Sequence, residues 1–282
     1  MDGAAQSAGT QIAVTSPVTR LNADALARTL DAALERIGTP SRVVAAFDAD
    51  ETLWTMDVGD TLFEHALAAG LIGAAAGDAL REIALRNGVA RGGSPGELAA
   101  RLFRAYRDGH MPERDCAEMQ TRCYAGWSRS DLDAYAADTL SEARVAPRLF
   151  APSVAMLRWA RARGVRSIVV SASPAAAVEA AARCCGIGAP DVFAARTMPK
   201  VDVLTDTLDA PLPWGAQKAV LARAAVGDGQ WLASFGDSAF DIELLKGASV
   251  AVAVRPKPAL RAQFGQVRVP LYELVAPPGG DA

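Results

Sequence analysis

The chain has 282 residues, 51% apolar and 22% charged, a composition that fits one ordinary domain plus an insertion and argues against wholesale disorder. Basic and acidic residues number 29 and 32, for a net charge of −3, so no cationic excess exists to neutralise a nucleic-acid backbone. No apolar run approaches the roughly 20 residues of a spanning helix, and Met1–Pro17 lacks the charged-then-apolar order of a signal peptide; a soluble, cytoplasmic protein without a membrane partner is expected.

Residues 1–20 have no apolar periodicity and are expected to form a mobile tail. Leu26, Leu30, Leu34 and Ile37 make a helical stripe that Gly38-Thr39-Pro40 terminates. Val43-Val44-Ala45-Ala46-Phe47 is a continuous apolar run without alternation, as in a strand buried on both faces of a parallel sheet. From Thr61 to Pro147 the period is helical throughout. Ser94-Pro95-Gly96-Glu97 reads as a capping box, and Ser130 as the cap of a helix over 131–143. Buried-strand runs resume at Arg166–Val170, Trp231–Phe235 and Val250–Val254, with helical segments before the first two. Strands alternating with helices predict an α/β protein, a Rossmann-like doubly wound parallel sheet. The boundaries expected are a core of 21–60 and 148–276, an all-helical cap over 61–147, and a tail from 277 to 282.

Cysteines and histidines carry little of the chemistry. Cys116, Cys123, Cys184 and Cys185 form neither Cys-x-x-Cys pairs nor zinc spacings and read as small hydrophobes. His65 and His110 are the two histidines and have no partner pattern. Basic residues divide into 25 arginines and four lysines, which draws notice to each lysine.

In an open α/β sheet, ligands bind beyond the carboxyl ends of the strands. Those ends carry Asp48-Ala49-Asp50-Glu51-Thr52-Leu53, Ser171-Ala172-Ser173-Pro174 and Gly236-Asp237-Ser238-Ala239-Phe240-Asp241, with Lys218 near the start of a helix between the last two. Four carboxylates, Asp48, Asp50, Asp237 and Asp241, converge on one edge. A hard divalent cation relieves their repulsion, and an all-oxygen donor set favours Mg²⁺. A cation, a lysine and a hydroxyl at a helix start form a phosphate-handling arrangement. Two carboxylates two residues apart in a strand-end loop can take different roles, one as nucleophile and one exchanging a proton.

Asp48-x-Asp50-x-Thr52-Leu53, Ser171, Lys218 and Gly236-Asp237-Ser238-x-x-Asp241 together resemble the four motifs of the haloacid dehalogenase (HAD) superfamily, in the family's order. The helical insertion between the first and second motifs is similar to the cap of the phosphoserine phosphatase-like branch. The resemblance implies a Mg²⁺-dependent phosphomonoester hydrolase acting on a small phosphorylated metabolite through an aspartyl-phosphate. It implies Asp48 as nucleophile and Asp50 as acid and base. Mg²⁺ would lie on Asp48, Asp237 and the Asp50 carbonyl, with Ser171 and Lys218 on the phosphoryl oxygens and Asp241 behind them. Lys200 is the alternative to Lys218. Glu51 departs from the glycine or small residue more usual at its position.

Asp57 stands where the phosphoserine phosphatases carry an acidic residue near the substrate amine; the alternative is a polar residue leading into the cap. Trp54, Tyr106, Tyr124 and Trp127 read as core rather than pocket walls. Arg101, Arg104 and Arg107 read as a solvated helix face, with a carboxylate-binding arginine as the alternative. Phosphoryl transfer to an acceptor other than water and a non-catalytic metabolite-binding protein are the other functions this sequence accommodates.

Overall fold

The structure, a computed structural model, describes residues 18–38 and 43–277. The first 17 residues of the expected mobile tail, residues 39–42, which include Thr39 and Pro40 of the expected helix stop, and the last five residues of the expected C-terminal tail fall outside it.

The sheet is built from runs too apolar to face water. Strands β1 (Thr19–Leu21), β2 (Val43–Phe47), β3 (Arg166–Pro174), β4 (Val192–Ala195), β7 (Gln230–Gly236), β8 (Val250–Val254) and β9 (Leu271–Leu274) form a seven-stranded sheet in the order β1-β9-β8-β7-β2-β3-β4. Every pairing is parallel. β2 and β8 are buried at every position, so no face remains for polar alternation. Phe47 stacks on Phe235 with ring centroids 4.2 Å apart, fastening β2 to β7 at the carboxyl end.

β2 has β3 on one side and β7 on the other, and the chain winds outward in both directions from this point. The crevice beyond such a switch is where open α/β sheets bind ligands. Helices α1 (Ala23–Ile37), α7 (Ala151–Ala162), α8 (Ala175–Arg183), α9 (Ala216–Val226), α10 (Ile242–Gly247) and α11 (Pro258–Arg261) flank the sheet.

Between β2 and α7 the chain makes five α-helices: α2 (Val58–Ala68), α3 (Gly77–Arg86), α4 (Pro95–Arg107), α5 (Glu113–Arg122) and α6 (Arg129–Glu142). The two connections to this cap run side by side, Phe150 N–H donating to the Leu53 carbonyl at 2.9 Å and Thr55 N–H to that of Arg148 at 2.9 Å. An antiparallel hairpin of the core, β5 (Thr197–Lys200) and β6 (Val203–Leu208), holds the cap from the other side. Gly126 N–H donates to the Leu204 carbonyl and Leu204 N–H to that of Trp127, both at 2.8 Å. Below them Glu179, buried on α8, accepts from Arg129 of the cap at 2.8 Å and from Arg196 of the core.

Four local expectations are corrected. Thr19 and Arg20, read as tail, belong to an edge strand held by β9. Ser128, not Ser130, caps α6, accepting from Asp131 N–H at 3.0 Å. The first cap helix begins at Val58, three residues before the expected boundary at 61, because the Asp57 carboxylate caps it. Strands β1, β4 and β9 were not foreseen: they run three or four residues, too short for a buried-strand pattern. The capping box at Ser94 and Glu97 forms as read.

Candidate active site

Asp48 is the first residue after β2, Ser171 and Ser173 lie at the end of β3, Asp237 follows β7, and Lys218 sits in the first turn of α9. The strand order therefore brings to one edge residues up to 189 positions apart in the chain, from Asp48 to Asp237.

Lys218 is buried, and its Nζ lies 2.6 Å from Asp48 Oδ1 and 2.6 Å from Asp241 Oδ1. Asp241 has its second oxygen committed as well. Oδ2 accepts from the Asp237 N–H at 3.2 Å and from the N–H and hydroxyl of Ser238, each at 2.9 Å. Asp241 thus fixes both the lysine and the loop carrying Asp237. This closeness depends on Gly236, where a Cβ would come 2.6 Å from that of Asp241. Thr52 donates to Asp48 Oδ2 at 3.2 Å, with Asp237 Oδ1 3.4 Å away.

Carboxylate oxygens of Asp48, Asp237 and Asp241 all lie within 4.8 Å of one another, an all-oxygen cluster that suits a hard divalent cation. Burial and the neighbouring Asp241 charge push the Asp48 carboxyl well above the usual carboxylate range. Asp237 is raised for the same two reasons. Burial works to lower the Lys218 ammonium, but Asp241 and Asp48 outweigh it and the net direction is up.

Lys257, to which the sequence reading assigned no role, lies 2.7 Å from Asp237 Oδ2 and donates its backbone N–H to the Asp237 carbonyl at 2.8 Å. It follows β8, a fourth strand end, and is one of only four lysines, so both signals for it were present. Lys200 stands exposed on β5, outside the cleft.

Asp50 bonds to neither Lys218 nor Lys257. Its Oδ1 accepts from the Trp54 indole at 2.7 Å and the Val58 N–H at 2.9 Å, and its Oδ2 from the Ser173 hydroxyl at 2.6 Å. Glu51 adopts a left-handed backbone (φ 58°), the conformation in which glycine is free of strain. Its carboxylate pairs at 3.2 Å with Arg255, itself at φ 45°.

Asp48, Asp50, Glu51, Ser171, Lys218, Asp237 and Lys257 line one cleft beneath the cap. The cap side presents Asp57, Asp60, Tyr106, Glu113 and Gln120; Trp214 and Phe240, with ring centroids 3.9 Å apart, line the core side. Asp57 accepts the Asp60 N–H at 2.7 Å. Burial, then the charges of Asp50 and Asp60, push its carboxyl well above the ordinary value. Glu113 is raised by burial, against the pull of Lys257 and Lys218. Asp60 accepts from Gln120 at 2.6 Å and lies 3.7 Å from Arg107.

Tyr106 thus lines the cleft rather than the core alone, while Trp54, Tyr124 and Trp127 are packed into the interior as expected. No arginine lines the cleft among the described residues. Arg101 bonds the loop carbonyls of Ala90 and Gly92, and Arg107 reaches Asp60 and Glu64.

The model of the haloacid dehalogenase-like hydrolases matches residues 45–246. Several solved structures share the fold. A protein of unknown function from Bordetella pertussis Tohama I is 21% identical, with a TM-score of 0.63 over 83% of this chain and 99% of that one. One from Anaerococcus prevotii DSM 20548, also functionally unknown, is 13% identical, with a TM-score of 0.62 over 90% and 93%. A phosphoserine phosphohydrolase-like protein from Francisella tularensis subsp. tularensis SCHU S4 is 14% identical, with a TM-score of 0.50 over 82% and 94%. No protein of curated function matches the sequence.

Proposed function

The chain belongs to the haloacid dehalogenase-like hydrolases, and on that premise we propose that it is a Mg²⁺-dependent phosphatase for a small phosphorylated amine. The observation that carries the reading is the Asp48–Lys218–Asp241 cluster beside Asp237, with Asp50 held apart on its own donors. Asp48, Asp237 and the backbone carbonyl of Asp50 would hold the cation. Bound there, Mg²⁺ would neutralise the carboxylates and the non-bridging phosphoryl charge.

An Asp48 oxygen attacks phosphorus in line as the ester P–O bond breaks, leaving the phosphoryl group on that oxygen. Asp50 gives its proton to the departing alkoxide and then takes one from the water that displaces Asp48, which restores both residues. Lys218 and the Ser171 hydroxyl bind the phosphoryl oxygens. Asp241 keeps Lys218 aimed. The cap keeps bulk water from the reacting atoms.

The leaving-group side of the cleft supports the amine. Asp57 and Glu113 face it without a cation within ion-pair distance among the described residues, and both carboxyls are raised by burial. An ammonium or quaternary ammonium would offset that charge. A carboxylate on the substrate would find no arginine there, so phosphoethanolamine or phosphocholine fits better than phosphoserine. Phosphate release from these three esters, with Mg²⁺ and with chelator, tests the reading. Metal-dependent turnover that Asp48→Asn abolishes is expected; turnover that survives either chelator or Asp48→Asn would overturn it.

A further inference from the structure

We propose that Trp54 and Ser173 are positioning residues for Asp50: they close its Oδ1 to protons and present Oδ2 to the leaving group and then to water. The inference rests on the reading of Asp50 as acid and base.

The argument is about which partners can only donate. An indole N–H and a backbone amide N–H have no lone pair to offer, and both point at Asp50 Oδ1, at 2.7 and 2.9 Å. A proton on that oxygen would face two other protons. Among the described residues Oδ2 has a single partner, the Ser173 hydroxyl at 2.6 Å, which can donate or accept and leaves a second lone-pair direction open. The surroundings divide in the same way. Trp54 is fully buried and does not line the cleft, whereas Ser173 does, so Oδ1 is held from behind and Oδ2 lies on the cleft side.

Three separate pieces of chain supply the donors: the loop after β2, the first residue of α2 and the end of β3. A buried indole N–H needs some acceptor, but that need alone does not explain three donors from three elements meeting on one carboxylate. Gly59, which follows Val58, is closely packed: a Cβ there would lie 3.0 Å from both Ser173 Oγ and Gln120 Oε1, so a side chain would make one or both shift by a few tenths of an ångström. As α2 is the first cap helix, the cap's entry point is also part of the Asp50 mount.

Proton delivery matters in proportion to the basicity of the leaving oxygen, which supplies a test that misfolding does not mimic. Phenyl phosphate, whose leaving oxygen has the basicity of a tyrosine, is compared with 2,4-dinitrophenyl phosphate, whose phenolate departs unprotonated. In Trp54→Phe and Ser173→Ala the ratio of kcat/KM on phenyl to that on dinitrophenyl phosphate is expected to fall by about tenfold, the worth of one hydrogen bond to a charged group. Asp50→Asn should lower the same ratio further. Proportional losses on both esters in both variants, or an unchanged ratio while Asp50→Asn lowers it, would overturn the positioning role and leave the acid–base reading standing. An unchanged ratio in Asp50→Asn would remove that reading, and the positioning role with it. Should Trp54→Phe fail to fold, Ser173→Ala decides, because the serine lies at the cleft wall.

Discussion

The two walls of the cleft handle charge in opposite ways. On the core wall each carboxylate near the phosphate end has a cation: Lys218 serves Asp48 and Asp241, and Lys257 serves Asp237. On the cap wall Asp60 has Gln120 and Arg107, Asp57 stands among like charges, and Glu113 feels Lys257 and Lys218 only from beyond ion-pair distance. A set of charges that must be in place before any ligand arrives is paired within the protein and mounted on strand ends. A set that is left uncompensated waits for charge from outside. On the proposed reading the core carries the chemistry and the cap the choice of substrate, and each side can be broken separately.

The largest effect is expected at Lys218. Replacing it with Met leaves Asp48 and Asp241 buried together without their cation, and breaking a buried pair in this way costs about 3–5 kcal/mol. Urea unfolding of Lys218→Met in chelator should show a loss of that order at neutral pH, with phosphatase activity absent at the same time. A variant as stable as the parent would mean that the core wall is not balanced by this lysine.

Next in size is the metal itself. At a concentration about 100-fold above its Kd, a ligand bound only by the folded state stabilises by about 2.7 kcal/mol. Mg²⁺ should raise the unfolding free energy by about that amount, and by more as the pH rises. Asp48 and Asp237 have folded-state values above their ordinary ones. Such groups bind protons more tightly when folded, so their contribution to metal-free stability is full below about pH 3.9 and declines as pH rises through the raised folded values. Metal binding needs the deprotonated carboxylates and gains over the same interval. A Mg²⁺ effect that does not grow as pH rises from about 4 would contradict the assignment of the cation to these two residues.

The core wall was legible in the sequence and the cap wall mostly was not, for a physical reason. Asp48, Asp50, Ser171 and Asp237 follow apolar runs directly, and a parallel sheet sends the ends of its buried strands to one edge whatever lies between them. Lys218 was readable from its place at a helix start. Glu113 and Gln120 lie on α5, which is buried at every position from Asp115 to Arg122, so its sequence marks no single face and only tertiary packing brings them over Asp57 and Asp60. Ser173 was visible as part of a motif, yet its bond to Asp50 spans 123 positions and leaves no local pattern. Glu51 shows the reverse case: the departure from glycine was plain in the sequence, and its left-handed φ and pairing with Arg255 needed the fold.

The smallest expected effect on stability is the most informative about the cap wall. Asp57→Asn keeps an oxygen that accepts the Asp60 N–H, and asparagine caps helices as well as aspartate does, so α2 should start unchanged. What the substitution removes is a charge that burial, Asp50 and Asp60 all disfavour. At pH above the raised folded value the parent holds that charge at a cost, and the variant should be the more stable of the two. Toward pH 4 the parent's carboxyl is protonated in the folded chain, the cost disappears, and the two unfolding curves should converge. If Asp57 is the anchor for a cationic leaving group, the same variant should lose kcat/KM on phosphoethanolamine by at least tenfold relative to phenyl phosphate, which has no cation to bind. A variant that gains stability at high pH but keeps its preference for the amine would place the discriminating charge on Glu113 instead. One that gains nothing would show that the cap wall, like the core wall, already has its counter-charge.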